Sequence, residues 1–508
     1  PSSFRRTLIR ASRCRSGSIS INPEFADDFL RPHLIMNSLT LSIGALLLTA
    51  VLPLHAEDTK PNVLMISIDD LNDWTGYLGG YPSVSTPHLD ALAEQGRIFS
   101  NAHCAIPVCS SSRVSVMSGL AATTHGSYEI GPSYQQLPAL NEAPTLHRYF
   151  KDNGYTTITG GKVLHHGFGD RLKEDIDLDL GRPKTARPKG GPVSLPEGWS
   201  KAWDWGQFPE NDAEMGDYKL AVDAAKVLKE NHDQPFFISV GFYRPHVPLL
   251  VPPKWFDLYD VEAIPLPKSP ESDLTDLPPN FRRINDYAVA PKHSEVVASG
   301  KQRSLTQAYL ASISFVDHCV GIVMEALENS PHADNTIVVV WSDHGFHLGE
   351  KHHWAKRTLW EESTRVPLLF AGPGIEPGNA CVEPASLIDI YPTLIELCDL
   401  PEHKSLDGIS LTPQLEDPTT ERNEPAIISS YYGNHAARTR DWRLIVYEDG
   451  AKELYDHRND PEEYTNLAND PDHQEILGEL MAWIPTEGEP EFRVPSERLR
   501  GQGKREKK

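Results

Sequence analysis

Cysteine is scarce in this chain, with six among 508 residues. That excludes a small disulfide-framed scaffold, which needs many paired cysteines. Positive charge is also in deficit. The formal net charge of −23 excludes nonspecific nucleic-acid binding through a basic surface. An anionic ligand would need lysine, arginine or a metal ion concentrated locally. Long apolar runs are nearly missing. The one candidate, Met36 to Ala56, has the length of a signal-peptide core, is broken by Pro53 and is short for a membrane span. Leu54-His55-Ala56 is an acceptable cleavage tripeptide. Export to the periplasm or the cell exterior is therefore expected, and a stable membrane span is not. Residues 1–35 carry Arg5, Arg6, Arg10, Arg13 and Arg15 and begin without Met. They read as upstream sequence before a start at Met36, with an Arg/Ser-rich transit peptide as the rival reading. No internal repeat is present.

What remains has a globular composition, 23% charged and 39% hydrophobic, and is long enough for one large or two unequal domains. Apolar, β-branched runs end abruptly in polar residues. Asn62–Ile68 meets Asp69-Asp70, Tyr155–Thr159 meets Gly160-Gly161-Lys162, Phe236–Val240 leads to Arg244-Pro245-His246, and Thr336–Trp341 leads to Asp343-His344-Gly345. Such runs predict parallel strands buried on both faces. Helical patterns lie between them at Pro87–Gly96, Leu146–Asn153, Tyr218–Asn231 and Leu305–Asn329, which predicts an open α/β sheet. Residues 171–216 and 252–300 are rich in Pro, Gly and charge and are expected to run over the sheet and shape a pocket. After about residue 415 short strands at 436–439, 442–447 and 453–456 and a helix near Gln474–Trp483 predict a small antiparallel sheet plus helix. The expected division is 1–56 upstream extension and signal peptide, 57–415 catalytic α/β domain, 416–490 small α+β subdomain and 491–508 tail.

Ligands bind outside the carboxyl ends of strands in such sheets. Four ends here bring Asp69, Asp70, Lys162, His246, Asp343 and His344 to one edge. Three carboxylates and an imidazole suit a divalent cation, with calcium or magnesium favoured by oxygen content and Ca2+ the first expectation. Asp69-Asp70 alone would equally suit a turn or a cap. Lys162, His165, His246 and Lys356 are candidate acid, base and anion-binding groups, whereas His166, His352 and His353 read as structural. The run Cys109-Ser110-Ser111-Ser112-Arg113 opens a short helix predicted to stop at Gly119. A helix start offers free N–H groups and a positive dipole end to an oxyanion. Without Cys14, five cysteines remain: Cys104, Cys109, Cys319, Cys381 and Cys398. Cys381 and Cys398 either pair or stand as buried thiols, and Cys109 is the natural odd one.

These stretches resemble the sulfatase family of the alkaline phosphatase superfamily, most of all its iduronate-2-sulfatase branch, over residues 60–485. The resemblance is carried by Ile68–Trp74, Cys109–Gly119, Gly160–His165, Val240–Pro248, Ser342–Glu350, Trp354-Ala355-Lys356 and the closing Glu453–Asp456 with Asp460–Leu467. It implies a large mixed, mostly parallel sheet sandwiched by helices. It implies a sulfuric ester hydrolase acting on sulfated carbohydrate. It also implies oxidation of Cys109 to 3-oxoalanine (formylglycine) by a formylglycine-generating or anaerobic maturation enzyme. In hydrated form that residue would attack sulfur with one hydroxyl and expel sulfate with the other. By the same resemblance Asp69, Asp70, Cys109, Asp343 and His344 would hold the metal, and Arg113 would support the diol. Lys162 and Lys356 would hold sulfate oxygens, His165 would accept a proton and His246 would protonate the leaving oxygen, the two histidine roles being exchangeable. One departure stands out: Ser111 occupies the place where the family usually has Pro or Ala. Two alternatives accompany this reading. One is a phosphatase or phosphonate monoester hydrolase of the same superfamily. The other is a catalytically silent sulfated-glycan-binding protein, should Cys109 stay a thiol.

Overall fold

Eight consecutive buried residues, Asn62–Asp69, form strand β1. Leu64, Ile66 and Ile68 enter one core, while Val63 and Met65 enter another, as the period-two alternation of a strand requires. A strand buried on both faces must lie inside the sheet with helices on either side. The computed structural model describes residues 60–279, 281, 284 and 289–493. The expected signal segment Met36–Ala56 and the tail from residue 494 lie outside the described residues.

Six further strands complete the sheet: β2 (Gly96–Ile98), β3 (Thr156–Gly161), β4 (Leu178–Asp179), β5 (Phe236–Pro245), β6 (Thr336–Ser342) and β7 (Leu368–Ala371). Their order is β2-β7-β6-β1-β5-β3-β4. β6, β1, β5, β3 and β4 run parallel, and β7 is antiparallel to both β6 and β2. The sheet is mixed and mostly parallel, as the βα alternation predicts.

The described helices that cover it include α1 (Pro87–Glu94), α2 (Cys109–Ser118), α3 (Leu146–Asp152), α4 (Gly216–Leu228), α5 (Gln302–Glu328) and α6 (Ile390–Leu397). Leu89 and Leu92 of α1, Leu220 and Ala224 of α4, and Tyr309 and Phe315 of α5 join the core of Leu64 and Ile66. Val114 and Met117 of α2, Leu146 and Phe150 of α3, and Ile390 and Leu394 of α6 join that of Val63 and Met65. The helices start and stop within about three residues of the expected bounds, a normal fraying distance. Helix α5 is long and apolar enough to cross a membrane, but 78% of its apolar window is buried, so it is a core helix.

Four antiparallel strands follow: β8 (Ala426–Ser429), β9 (His435–Arg438), β10 (Trp442–Val446) and β11 (Lys452–Asp456). β8 was not expected, because it is only four residues long and follows a polar, proline-containing stretch. One face, through Ile428, Ala436, Ile445 and Tyr455, packs on Leu359 and Trp360. The other, through Ala437, Leu444 and Leu454, packs on Leu480 and Ile484, at and beyond the end of α7 (Gln474–Met481). All five described cysteines are free and buried. Cys381 and Cys398 are thus core thiols rather than a disulfide.

Candidate active site

Because β3, β5, β1 and β6 are parallel neighbours, their carboxyl ends open on one edge. Asp69 ends β1, Lys162 follows β3, His246 follows β5, and Asp343 and His344 follow β6. Asp70 takes a left-handed backbone, φ 64°, which turns its side chain toward the edge at a cost that L-residues seldom meet. The turn is held by Tyr309 of α5, whose hydroxyl donates to the Asp70 carbonyl at 2.7 Å and accepts from the Asn72 N–H at 3.0 Å. The Asp70 N–H donates to Asp343 Oδ1 at 3.1 Å.

Helix α2 begins at Cys109 and ends at Gly119, whose φ of 66° supplies the left-handed stop. All ten of its residues are buried, which is how so serine-rich a segment can lie beneath the sheet edge: its hydroxyls have protein partners. Ser112 Oγ donates to the Asp343 carbonyl at 2.5 Å. Arg113 donates through Nε to Asp343 Oδ2 at 2.8 Å and through a terminal nitrogen to Asp69 Oδ1 at 3.3 Å, and its other terminal nitrogen donates to Ser67 Oγ at 3.1 Å. This places a fixed, fully buried cation behind two carboxylates.

The remaining groups converge on the same point. Lys162 Nζ donates to Asp69 Oδ2, and Lys356 Nζ donates to Asp70 Oδ1 at 2.5 Å. Lys356 sits between two left-handed residues, Ala355 and Arg357, with φ of 94° and 86°. His165 Nδ1 lies 3.2 Å from Cys109 Sγ, and Arg182 donates to the His165 carbonyl at 2.8 Å, so the first excursion, residues 171–216, reaches the site. His246 donates from Nδ1 to the Val247 carbonyl at 2.5 Å, which leaves Nε2 facing Asp70 Oδ2 at 4.0 Å. Of the other histidines, His166 meets His165 edge to face, His352 stacks on His293, and His353 Nε2 lies 3.0 Å from the Lys356 carbonyl.

Electrostatics follow from this crowding. Burial penalises the Asp69 carboxylate, but Lys162, His246 and Arg113 outweigh it and hold its pKa well below the usual value. Burial raises the Cys109 thiol, yet Lys162 and Lys356 reverse the sign and lower it. Burial lowers Lys356, and Asp70 and Cys109 more than restore it. Burial drives His246 down to about 3, with Asp70 opposing and Lys162 reinforcing.

The donor set fits a divalent cation. Ligand atoms of Asp69, Cys109, Asp343 and His344 all lie within 4.8 Å of one another, as do those of Asp69, Asp70 and His246. His344 Nδ1 is paired with the Gly345 carbonyl at 2.9 Å, so Nδ1 carries the proton and Nε2 presents a lone pair. That Nε2 and Asp70 Oδ2 are buried without a hydrogen-bond partner. His344 Nε2 lies 3.3 Å from the other Asp70 oxygen, Oδ1. Buried acceptors left without partners are costly, and a cation bound by these two side chains would remove the cost. The further group Glu361, His457 and Glu463 is different. Arg438 and Arg443 pair with its carboxylates, which makes it an ion-pair network. Sequence reasoning missed Tyr309 and Arg182, which hold the backbone of Asp70 and His165 and carry no motif of their own, and the role of Ser112 in holding the Asp343 carbonyl.

The family model described as Sulfatase matches residues 61–400, and that described as N-sulphoglucosamine sulphohydrolase, C-terminal, matches residues 349–487. A protein named Sulfatase from Formosa agariphila is 39% identical over 449 residues, covering 84% of this chain and 87% of that one. Choline-sulfatase of Rhizobium meliloti is 30% identical, covering 81% and 83%. Iduronate 2-sulfatase of Mus musculus is 28% identical, covering 82% and 93%. A solved 2-O GAG sulfatase superposes with a TM-score of 0.65 at 24% identity, covering 83% of this chain and 90% of that one.

Proposed function

Since the chain belongs to the sulfatase family and is a sulfuric ester hydrolase, we propose that it releases inorganic sulfate from sulfated carbohydrate, with iduronate-2-sulfatase-like specificity. The observation that carries this reading is the placement of Cys109 at the first turn of α2, with its sulfur within 4.8 Å of ligand atoms of Asp69, Asp343 and His344. Support for the substrate class comes from the iduronate 2-sulfatase relative, which aligns over nearly its whole length. The choline-sulfatase relative is why the sugar belongs to the proposal.

In this reading Cys109 Sγ stands in for the oxygens of a hydrated formylglycine, formed by a dedicated maturation enzyme before or during export. Asp69, Asp70, Asp343, His344 and residue 109 would hold one divalent cation, a hard ion because oxygen donors dominate, with Ca2+ the ion proposed and Mg2+ the alternative. The cation and the modified residue together supply Lewis acidity and a two-hydroxyl nucleophile. The chain's own groups do the rest. Lys162 and Lys356, both buried and cationic, offer N–H donors to the sulfate oxygens. Arg113 pins Asp69 and Asp343, so the carboxylates cannot swing as charge shifts. His165 Nδ1, at 3.2 Å from the atom on residue 109, is in reach to take a proton from it. His246 keeps one proton on Nδ1 against the Val247 carbonyl and presents Nε2 to the site, where a proton taken up from solvent would pass to the leaving oxygen. Lys356 is the other proton donor within reach of that oxygen.

The test has two parts. Matched aryl esters and a panel of sulfated disaccharides are assayed for released sulfate and phosphate, and sulfate release from 2-O-sulfated uronates is expected. Mass spectrometry of the tryptic peptide Ile98–Arg113 from the native host should show formylglycine at 109. Only unmodified thiol there, or no sulfate release, sinks the reading. Cys109→Ala should abolish turnover while leaving the melting temperature close to that of the parent.

A further inference from the structure

The charged groups of the site are almost wholly enclosed. The side chains of Asp69, Asp70, Asp343 and His344 are inaccessible, and those of Lys162 and Lys356 keep 6% and 5% of their exposure. Exposure returns at His246, whose side chain is 18% accessible, and at Tyr243, which is 40% accessible. Tyr243 is the single exposed residue in β5, where the other nine are buried. A lone exposed aromatic is unremarkable on an open surface. This one stands at the strand end where the chemistry converges. Its ring centroid is 5.1 Å from Lys162 Nζ and 4.8 Å from the His246 ring centroid.

The ring is also held in place. The N–H groups of Tyr243 and Arg244 donate to the two carboxylate oxygens of Asp217, each at 2.9 Å, and Asp217 lies in the first turn of α4. Arg244 is tied in turn to the carbonyls of Leu250 and His246, and its guanidinium lies 5.6 Å from the ring centroid. Two cations beside one aromatic ring fix its orientation through the ring quadrupole.

We propose that Tyr243 is the platform against which the sugar ring bearing the sulfate packs, and that it discriminates carbohydrate esters from other sulfate esters. The inference rests on the sulfated-carbohydrate reading above. A sulfate oxygen bound to an ammonium sits about 2.8 Å from it. The sulfur and the ester oxygen then extend outward, which brings the sugar carbon level with the Tyr243 ring. The anionic end of the substrate meets Lys162, and its C–H face meets an apolar surface with a polar tip. His246 lies beside the same ring, where the ester oxygen must pass.

The experiment compares the holoenzyme with Tyr243→Ala and Tyr243→Phe, each checked for formylglycine content and melting temperature. Steady-state kinetics are measured on a sulfated disaccharide, and inhibition is measured with inorganic sulfate. Tyr243→Ala should raise KM for the disaccharide at least about tenfold, and Tyr243→Phe should stay within about threefold of wild type. The inhibition constant of inorganic sulfate should change by less than about twofold in both. An unchanged disaccharide KM in Tyr243→Ala overturns the platform. So does a sulfate inhibition constant that weakens by the same factor as KM, because Tyr243 would then merely seat Lys162. If the wild-type enzyme releases sulfate from aryl esters but from no sulfated sugar, the substrate reading itself falls, and that outcome is visible before any variant is made.

Discussion

Ser111 shows how one residue can serve the fold and change how a motif is read. Its hydroxyl contacts Ser127 Oγ at 2.9 Å and donates to the Glu129 carbonyl at 2.9 Å. The segment after α2 is thereby tied to the helix that carries Cys109. Glu129 then pairs with Arg357 at 2.6 Å, next in sequence to Lys356. Proline, usual at this place in the family, would remove a third-position N–H that the helix does not use, but it would leave Ser127 and the Glu129 carbonyl without this partner. Ser111→Pro is therefore expected to raise the fraction of residue 109 converted to formylglycine and to lower stability by about 1–3 kcal/mol. Intact-mass analysis and a denaturant titration read the two effects separately. Equal converted fractions in the two proteins would remove Ser111 as a determinant of maturation.

At the scale of elements, strand ends were legible because a buried parallel strand has to be apolar until it emerges. The polar residues that follow it then stand out, and Asp69, Asp70, Lys162, His246, Asp343 and His344 do meet in space. The supporting residues were illegible for the opposite reason. Tyr309 lies on a buried helix face among apolar neighbours, where a tyrosine reads as core. Its hydroxyl reaches Asp70, 239 positions away, a contact only the topology creates. Strand β8 was similarly hidden, being held by pairing with β9 rather than by any pattern of its own. Tyr309→Phe should leave the Asp70 carbonyl and Asn72 N–H unsatisfied. The expected outcome is about tenfold weaker binding of calcium by calorimetry, in line with the loss of an outer ligand-orienting bond. Unchanged calcium affinity would mean that the left-handed Asp70 is held by its other contacts alone.

For the whole molecule, buried histidines and carboxyls outside the catalytic edge add their own pH dependence to stability. His125 accepts the Ser127 N–H at Nδ1, 3.0 Å, and so donates from Nε2 to Ser115 Oγ, 2.8 Å. A second proton has no place to go, and burial takes its pKa down to about 3. His147 lies between Phe168 and Phe237 with Nε2 2.6 Å from Ser239 Oγ, and burial takes it likewise to about 3. A histidine depressed in the fold is fully stabilising above its unfolded value of about 6.5, and that stability is lost as pH falls from there toward 3. Each such group contributes up to about 1.4 kcal/mol per pH unit in that window. Asp317 opposes them. It accepts the N–H groups of His88 and Leu89 at the start of α1, and burial raises it to about 7. An acid raised in the fold stabilises most below its unfolded value of about 3.9, and this is lost as pH rises toward 7. Glu350 is raised to about 7 as well, while His435 and His293 are lowered to about 4, so depressed histidines outnumber raised carboxyls and leave a net loss of stability between about pH 6.5 and 4. Denaturant midpoints measured across that range should fall with pH. His147→Gln should flatten the fall, and Asp317→Asn should steepen it. A wild-type profile that stays flat or rises as pH falls would mean that the buried imidazoles do not outweigh the raised carboxyls.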